Sequence, residues 1–315
     1  VKVLVTGGAG FIGSSLTKVL LEAEHDICCI DDFNDYYDPQ IKRSNVSAFL
    51  DCGNYKLYEC DIQDCAKLEE IFRKENFELV VHLAARAGVR PSIAQPDLYN
   101  RVNMLGTNNL LDLAKEAKVR QFIFGSTSSV YGVNSKVPFS ENDRIDKPIS
   151  PYSASKIGAE MLCHVYHYLY GFNVTILRFF TVYGPRQRPE MAIHNFAKKI
   201  IKGEPLLFFG DGLSRRDYTY IDDIVQGIMN AIDKNYEYDV FNLGNSQTTS
   251  LTELVELLEN ALGKKAILQK MPVQPGDVPI TYADISKSKA MLGYEPKTGI
   301  KDGILKFSQW FLKKY

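Results

Sequence analysis

The sequence predicts an α/β chain built on a doubly wound parallel sheet, and three observations predict it. Strand-like apolar runs alternate with helix-periodic segments through the first half. The first run passes at once into a glycine-rich turn and a helix. The residues with chemical potential fall just past the strand ends, where such sheets place their ligands.

The elements follow in order. Val1-Lys2-Val3-Leu4-Val5 reads as a short buried strand, followed by Thr6-Gly7-Gly8-Ala9-Gly10-Phe11-Ile12-Gly13. An apolar-periodic helix runs on through Leu16, Val19 and Leu20 to about residue 23. Gly7, Gly10 and Gly13 give the spacing Gly-x-x-Gly-x-x-Gly, whose bare backbone admits a pyrophosphate to a helix N-terminus. A second strand, 26–30, ends at Asp31. That acid is placed to accept hydrogen bonds from an adenosine ribose and to repel a 2′-phosphate, so NAD is expected rather than NADP. Strands at 56–60, 79–83 and 121–125 lead into Asp61-Ile62, Ala84-Ala85-Arg86 and Ser126-Thr127-Ser128.

Tyr152-Ser153-Ala154-Ser155-Lys156 sets a phenol and an ammonium at i and i+4, on one helix face. A cation there favours phenolate, lowering the tyrosine pKa from about 10 and tuning it as a general base. The second half reads as helices at 194–202, 222–235, 251–262 and 301–314, with short strands at 206–209 and 240–243.

The chain of 315 residues is long enough for two domains, or for one large α/β unit with an appended part. A formal charge of -1, from 37 basic and 38 acidic residues, gives no electrostatic case for nucleic acid or an anionic membrane. Neither a leader-like start nor an apolar run of about 18 residues is present, so no transmembrane helix is predicted. Cys28, Cys29, Cys52, Cys60, Cys65 and Cys163 form no Cys-x-x-Cys pair and read as reduced thiols of a cytoplasmic protein. His164 and His167 read as a structural helix pair, and no metal site is expected.

Several motifs together give this chain its resemblance to an extended short-chain dehydrogenase/reductase of the nucleotide-sugar branch, over essentially its whole length. They are the glycine turn, His82-Leu83-Ala84-Ala85, Phe124-Gly125-Ser126-Thr127-Ser128-Ser129-Val130-Tyr131-Gly132, the Tyr152/Lys156 pair, Arg178-Phe179-Phe180-Thr181-Val182-Tyr183-Gly184-Pro185, and Arg216-Asp217-Tyr218-Thr219-Tyr220-Ile221-Asp222-Asp223. The resemblance implies a Rossmann domain over 1–180, with about 217–245 returning to it. A smaller, discontinuous α/β domain, mainly 181–315, would bind the nucleotide-sugar. It also implies tightly held NAD and a homodimer formed through helices at about 97–118 and 152–170.

By the same resemblance Thr127 and Tyr152 form the reactive hydroxyl pair, and Lys156 holds the nicotinamide ribose and polarises the tyrosine. Phe11, Ile12, Asn34 and Leu83, with Ala84 and Ala85, join the cofactor set. Asp31 takes the ribose, Asp61 and Ile62 the adenine, and Asn103 lies below the nicotinamide. Arg216 matches a phosphate-binding arginine and Asp277 a nucleoside-ribose ligand, whereas Tyr183 and Tyr218 are packing residues.

The reaction is narrowed by Ser128 and Ser129. Related 4,6-dehydratases carry an Asp-Glu pair there and decarboxylating relatives a Glu, so what remains is 4-epimerisation of a UDP-sugar through a 4-keto intermediate. Asp32-Phe33-Asn34-Asp35-Tyr36-Tyr37-Asp38-Pro39, Arg86-Ala87-Gly88-Val89-Arg90-Pro91-Ser92, Arg188-Pro189-Glu190-Met191-Ala192 and the 271–278 segment are similar to UDP-glucuronate 4-epimerases. Arg188 is the first candidate for a sugar carboxylate, with Thr181, Arg86 and Ser128 also on the substrate side. Thr181 and Gln274 depart from the Asn and Arg common in UDP-galactose 4-epimerases. The alternatives are a UDP-glucose or UDP-N-acetylglucosamine 4-epimerase, a net reductase, and a non-catalytic nucleotide-binding protein of the same fold.

Overall fold

Seven strands of this chain pair into one parallel sheet in a computed structural model, which describes residues 1–134, 136–272 and 278–315. They are β1 (Lys2–Thr6), β2 (Asp26–Asp31), β3 (Tyr55–Glu59), β4 (Leu79–His82), β5 (Gln121–Thr127), β6 (Asn173–Phe179) and the strand Tyr238–Leu243. Across the sheet the order is Tyr238–Leu243, β6, β5, β4, β1, β2, β3. Val3 lies opposite Ile27 on one side and Leu79 on the other, so the winding reverses beside β1. That reversal opens the crevice where open α/β sheets bind ligands.

The apolar runs are continuous because the sheet is covered on both faces. Leu4, Val5, Cys29, Ile30, Val80, Val81, Phe122 and Phe124 have no exposed surface. Burial pushes the Cys28 and Cys29 thiols up to about 12, so both behave as small apolar side chains. His164 and His167 pack on the ring of Tyr238, at centroid distances of 4.9 and 5.3 Å.

Local signals set the helices. Helix α1 (Phe11–Glu22) begins at Gly10, which offers no side-chain cap. Helix α2 (Pro39–Val46) has Pro39 in its first turn, and the Asp38 carboxylate accepts from Gln40 N at 2.9 Å. The helix Pro151–Tyr170 starts with a capping box between Ser150 and Ser153 and stops at Gly171, φ +71°. The single helix expected over 97–118 is instead Pro96–Asn100, a π turn over Arg101–Leu105, and Gly106–Glu116. Strand β6 and the strand Ile267–Met271 are additional to the strands expected from the sequence. The run Asn173-Val174-Thr175-Ile176-Leu177-Arg178-Phe179 is almost wholly buried, and interrupting polar residues mask its strand pattern.

The chain divides into two compact units. The first comprises Val1–Val133, Glu141–Arg178 and Val225–Phe241, and the second Asn134–Ser140, Phe179–Ile224 and Asn242–Tyr315. In the second unit Pro205–Phe209 pairs with Ile267–Met271, Thr181–Tyr183 with Tyr218–Tyr220, and Arg215–Arg216 with Thr249–Ser250. Tyr183 and Tyr218 pack edge to face at 6.3 Å. Among the described residues no helix is long and apolar enough to cross a membrane, and no His, Cys, Asp and Glu cluster could hold a metal.

Candidate active site

The glycine turn is shaped by close approach. Gly7 has φ +67°, and a Cβ there would lie 2.8 Å from the Ala84 backbone nitrogen. A Cβ on Gly13 would fall 2.3 Å from the Gly7 oxygen and 2.7 Å from Gly8 Cα. Backbone cannot rotate away, so both positions need glycine. At Gly10 an added Cβ would meet only the Gly7 oxygen, at 3.1 Å. That side of the turn is open, and the first N–H groups of α1, at Phe11, Ile12 and Gly13, have no partner within the helix. The turn fits a dinucleotide diphosphate.

Asp31 ends β2 almost fully buried. Its carboxylate accepts from Ala9 N (3.2 Å), Phe33 N (3.0 Å) and Lys42 Nζ (3.1 Å). Burial pushes its pKa up from the ordinary range, while Lys42 and the Phe33 amide pull it back. Lys42 is itself buried and lies 3.6 Å from Asp32. Sequence spacing gave no sign of it, because α2 brings it back to the strand end only in three dimensions. Asn34 bonds to Asp32 (Nδ2 to Oδ1, 2.6 Å), and Asp61 caps its own turn through Gln63 N at 2.9 Å. Ile62 is buried, its carbonyl accepting from Asn109 Nδ2 at 3.0 Å.

Past β4, Leu83 N donates to the Thr6 carbonyl at 3.1 Å and Ala84 N to Thr6 Oγ1 at 3.3 Å. His82 sits between Thr6 Oγ1 (2.7 Å) and Thr107 Oγ1 (2.9 Å), and burial pushes its imidazole well below the usual range, so it is neutral. Ala85 and Arg86 are half-buried. Asn103, on the π turn, has its amide committed within the protein. It accepts from Arg86 N (2.8 Å) and donates to the Arg86 carbonyl (3.0 Å) and Ser155 Oγ (3.0 Å). It thereby ties the loop after β4 to the Pro151–Tyr170 helix, and π turns recur at such functional positions.

Tyr152 is half-buried in the first turn of that helix, its ring edge to face with Tyr99 at 6.1 Å. Tyr99 is fixed by a hydrogen bond to the Ala87 carbonyl at 2.6 Å. Lys156 is buried, with Nζ 3.9 Å from the centroid of the Phe124 ring. Burial pushes its ammonium down to about 8, against the pull of nearby Glu160, so it remains mostly charged at neutral pH. A buried cation over an aromatic face attracts any anion within reach, including a phenolate. Thr127 ends β5, accepts from Ser129 N and donates to Ser129 Oγ, both at 3.2 Å. Ser128 and Ser129 follow half-buried on the short 3-10 turn Ser128–Tyr131.

In the second unit Thr181 is half-buried and opens the strand Thr181–Tyr183, its amide bonded to the Asp217 carbonyl at 3.0 Å. Arg216 Nη1 donates to the Arg215 carbonyl at 2.9 Å. Arg188 pairs with Glu190 at 3.2 Å and touches Met191 Sδ at 3.3 Å. Asp217 is wholly buried and accepts from Asn245 N (2.7 Å), Ser246 N (3.0 Å), Ala283 N (3.1 Å) and Thr219 Oγ1 (3.1 Å). Burial pushes its carboxyl up to about 6. It ties the segments at Asn245–Ser246 and Ala283 to the strand Tyr218–Tyr220, a role that sequence spacing did not suggest. Asp277 and Gln274 lie outside the described residues.

A family model described as GDP-mannose 4,6 dehydratase matches residues 4–307. The chain belongs to that family. Its members are extended short-chain dehydrogenase/reductases, as the motifs imply. Within the family, the chain is 42% identical over 308 residues to a UDP-glucuronate 4-epimerase of Thermodesulfobacterium geofontis, covering 98% of this chain and 95% of the relative. A crystal structure of UDP-glucuronic acid 4-epimerase from Bacillus cereus, with UDP-glucuronic acid and NAD, superposes with a TM-score of 0.94 at 37% identity, covering 100% of both chains. The UDP-glucose 4-epimerase of Thermotoga maritima, with UDP-glucose, gives 0.92 at 35%, covering 100% of this chain and 99% of that one.

Four further residues stand behind these groups. Ser126, Tyr131, Glu160 and Arg178 form one buried network. A signal for Glu160 was available, since it repeats the i,i+4 step from Lys156.

Proposed function

We propose that the protein is an isomerase that inverts C4 of a UDP-sugar with tightly bound NAD, and that UDP-glucuronate and UDP-galacturonate are its principal substrates. The observation that carries this reading is the turn after β5. Beside Thr127, Ser128 and Ser129 place hydroxyls where elimination or decarboxylation would need carboxyl groups. The family model is named for a dehydratase, yet this chain lacks the acid and base of that reaction at these positions.

NAD, when bound, supplies a reversible hydride acceptor for C4. Gly7, Gly10 and Gly13, with Phe11 and Ile12, hold its diphosphate. Asp31 and Asn34 hold the adenosine ribose, and Asp61 and Ile62 the adenine. Leu83, Ala84 and Ala85 line the nicotinamide side, with Asn103 as their brace. Tyr152, as phenolate, takes the proton from the 4-hydroxyl with Thr127 as its hydroxyl partner, and returns it when C4 is reduced. Lys156 stabilises that phenolate and holds the nicotinamide ribose. Arg188 exchanges Glu190 for the sugar carboxylate, helped by Thr181, Arg86 and Ser128, and Arg216 with Asp277 anchors the nucleotide. No external reductant is consumed.

Purified protein should convert UDP-glucuronate to UDP-galacturonate without added reductant and should carry NAD as isolated. Product analysis on a panel of UDP-sugars checks this. Turnover of UDP-glucose or UDP-N-acetylglucosamine with none of the acid sugar would transfer the assignment to the second reading, which the likeness to the Thermotoga maritima enzyme favours.

The homodimer is part of the same reading. Met161, Val165 and Tyr168 form an exposed stripe on the Pro151–Tyr170 helix, and Leu169 beside it is 59% exposed. Such a stripe on a helix is suited to an isologous partner. Light scattering should give twice the chain mass, and Val165→Glu with Tyr168→Glu should give monomer. A wild-type monomer at micromolar concentration would remove the dimer from the reading.

A further inference from the structure

The buried ion pair behind the reactive hydroxyls joins β6 to the three elements that carry them, β5, the Ser128–Tyr131 turn and the Pro151–Tyr170 helix. Glu160 lies one helical turn beyond Lys156 and is 1% exposed; Arg178, on β6, is 4% exposed. The guanidinium meets the carboxylate through two bonds, Nε to Oε1 at 3.1 Å and Nη2 to Oε2 at 2.7 Å. Glu160 Oε1 also accepts from Ser126 Oγ at 2.5 Å. Ser126 directly precedes Thr127. On the other side Arg178 Nη1 donates to the Tyr131 hydroxyl at 3.1 Å, and its guanidinium lies 5.0 Å from the Tyr131 ring centroid. Tyr131 closes the 3-10 turn that Thr127 caps. The pair therefore holds both ends of the segment that presents Thr127, Ser128 and Ser129, from the helix that presents Tyr152 and Lys156.

Stability alone is a poor reason for such an arrangement. Buried ion pairs are often replaceable by apolar residues of similar volume at little cost, whereas a planar two-pronged pair fixes geometry. Each of the three guanidinium nitrogens and the Ser126 hydroxyl has an oriented acceptor in this network, which is how a polar cluster specifies a single arrangement.

We infer that Glu160 and Arg178 are positioning residues for catalysis: together they set the register of the Thr127–Tyr131 turn against the Tyr152/Lys156 helix, so that both hydroxyls of the reactive pair meet one substrate oxygen. The inference rests on the epimerase reading above. It requires that their removal lower kcat while leaving substrate and NAD binding in place, since both side chains are buried and neither is among the residues assigned to the ligands. A purely structural pair would lower stability and leave kcat per folded molecule unchanged.

Two variants of the full chain test this, with UDP-glucuronate as substrate, wild type in parallel, and activity normalised to NAD-loaded folded protein. Ser126→Ala cuts the link from Glu160 to the Thr127 strand with a small change that the fold should tolerate. It should lower kcat about three- to tenfold, with KM and melting temperature nearly unchanged, as expected for misplacement of a hydroxyl by a fraction of an ångström. The apolar pair Glu160→Leu with Arg178→Met should lose about tenfold or more in kcat at unchanged KM, despite a wild-type melting temperature. Wild-type kcat in Ser126→Ala would overturn the inference, whether or not the double variant folds; so would wild-type kcat in a folded double variant. An inactive wild type would instead count against the epimerase reading, and the two failures are thereby separated.

Discussion

Tyr152→Phe should lower turnover of UDP-glucuronate by about 10²–10⁴-fold, the span of a lost general base, while NAD remains bound. The ring should stay in place because phenylalanine keeps the edge-to-face packing on Tyr99. The comparison needs kcat by product analysis and nucleotide released on denaturation, measured on the same sample. Near-normal turnover would remove Tyr152 from proton transfer. The pH profile carries a second sign. Lys156 has a depressed pKa, so its ammonium is present at neutral pH and is lost as pH rises through about 8. Support for the phenolate is lost with it, and kcat should fall on that alkaline side. In Lys156→Met the limb should vanish along with most of the activity.

Gly13→Ala should produce protein that no longer retains NAD. The new Cβ would lie 2.3 Å from the Gly7 oxygen and 2.7 Å from Gly8 Cα, both backbone atoms of the diphosphate turn. Relieving the contact means opening the turn, at about 1–3 kcal/mol for a small overpacking. If that cost falls on the bound state, NAD affinity drops about 10- to 100-fold. Nucleotide content after gel filtration and calorimetric titration of NAD would measure it. Wild-type retention would mean that the turn relaxes without losing its fit to the diphosphate.

How legible each part was in the sequence depended on the distance over which its cause acts. The glycine turn, the strands that flank it and the Tyr152/Lys156 helix are set by local chemistry: φ > 0 at Gly7, continuous apolar runs, and a Ser-Pro start with a glycine stop. β6 was not legible, because its strand character comes from burial beside β5 and the Tyr238–Leu243 strand rather than from an alternating pattern. The π turn at Arg101–Leu105 was hidden for a similar reason. It is paired to Arg86 and Ser155, which are remote in sequence, and helical periodicity does not report it.

By itself the sequence determined the sheet class, the dinucleotide turn, the acid at Asp31 and the hydroxyl-only turn at Thr127-Ser128-Ser129, since each depends on residue type and short spacing. Tertiary structure alone decided that Lys42 would neutralise Asp31, that Asn103 would spend its amide on Arg86 and Ser155, and that Glu160 and Arg178 would meet behind Thr127. Those pairs are separated by 11 to 52 positions along the chain. Only the return of α2 to the end of β2, the packing of the π turn on the Pro151–Tyr170 helix and the place of β6 beside β5 bring their charges and dipoles within hydrogen-bond reach.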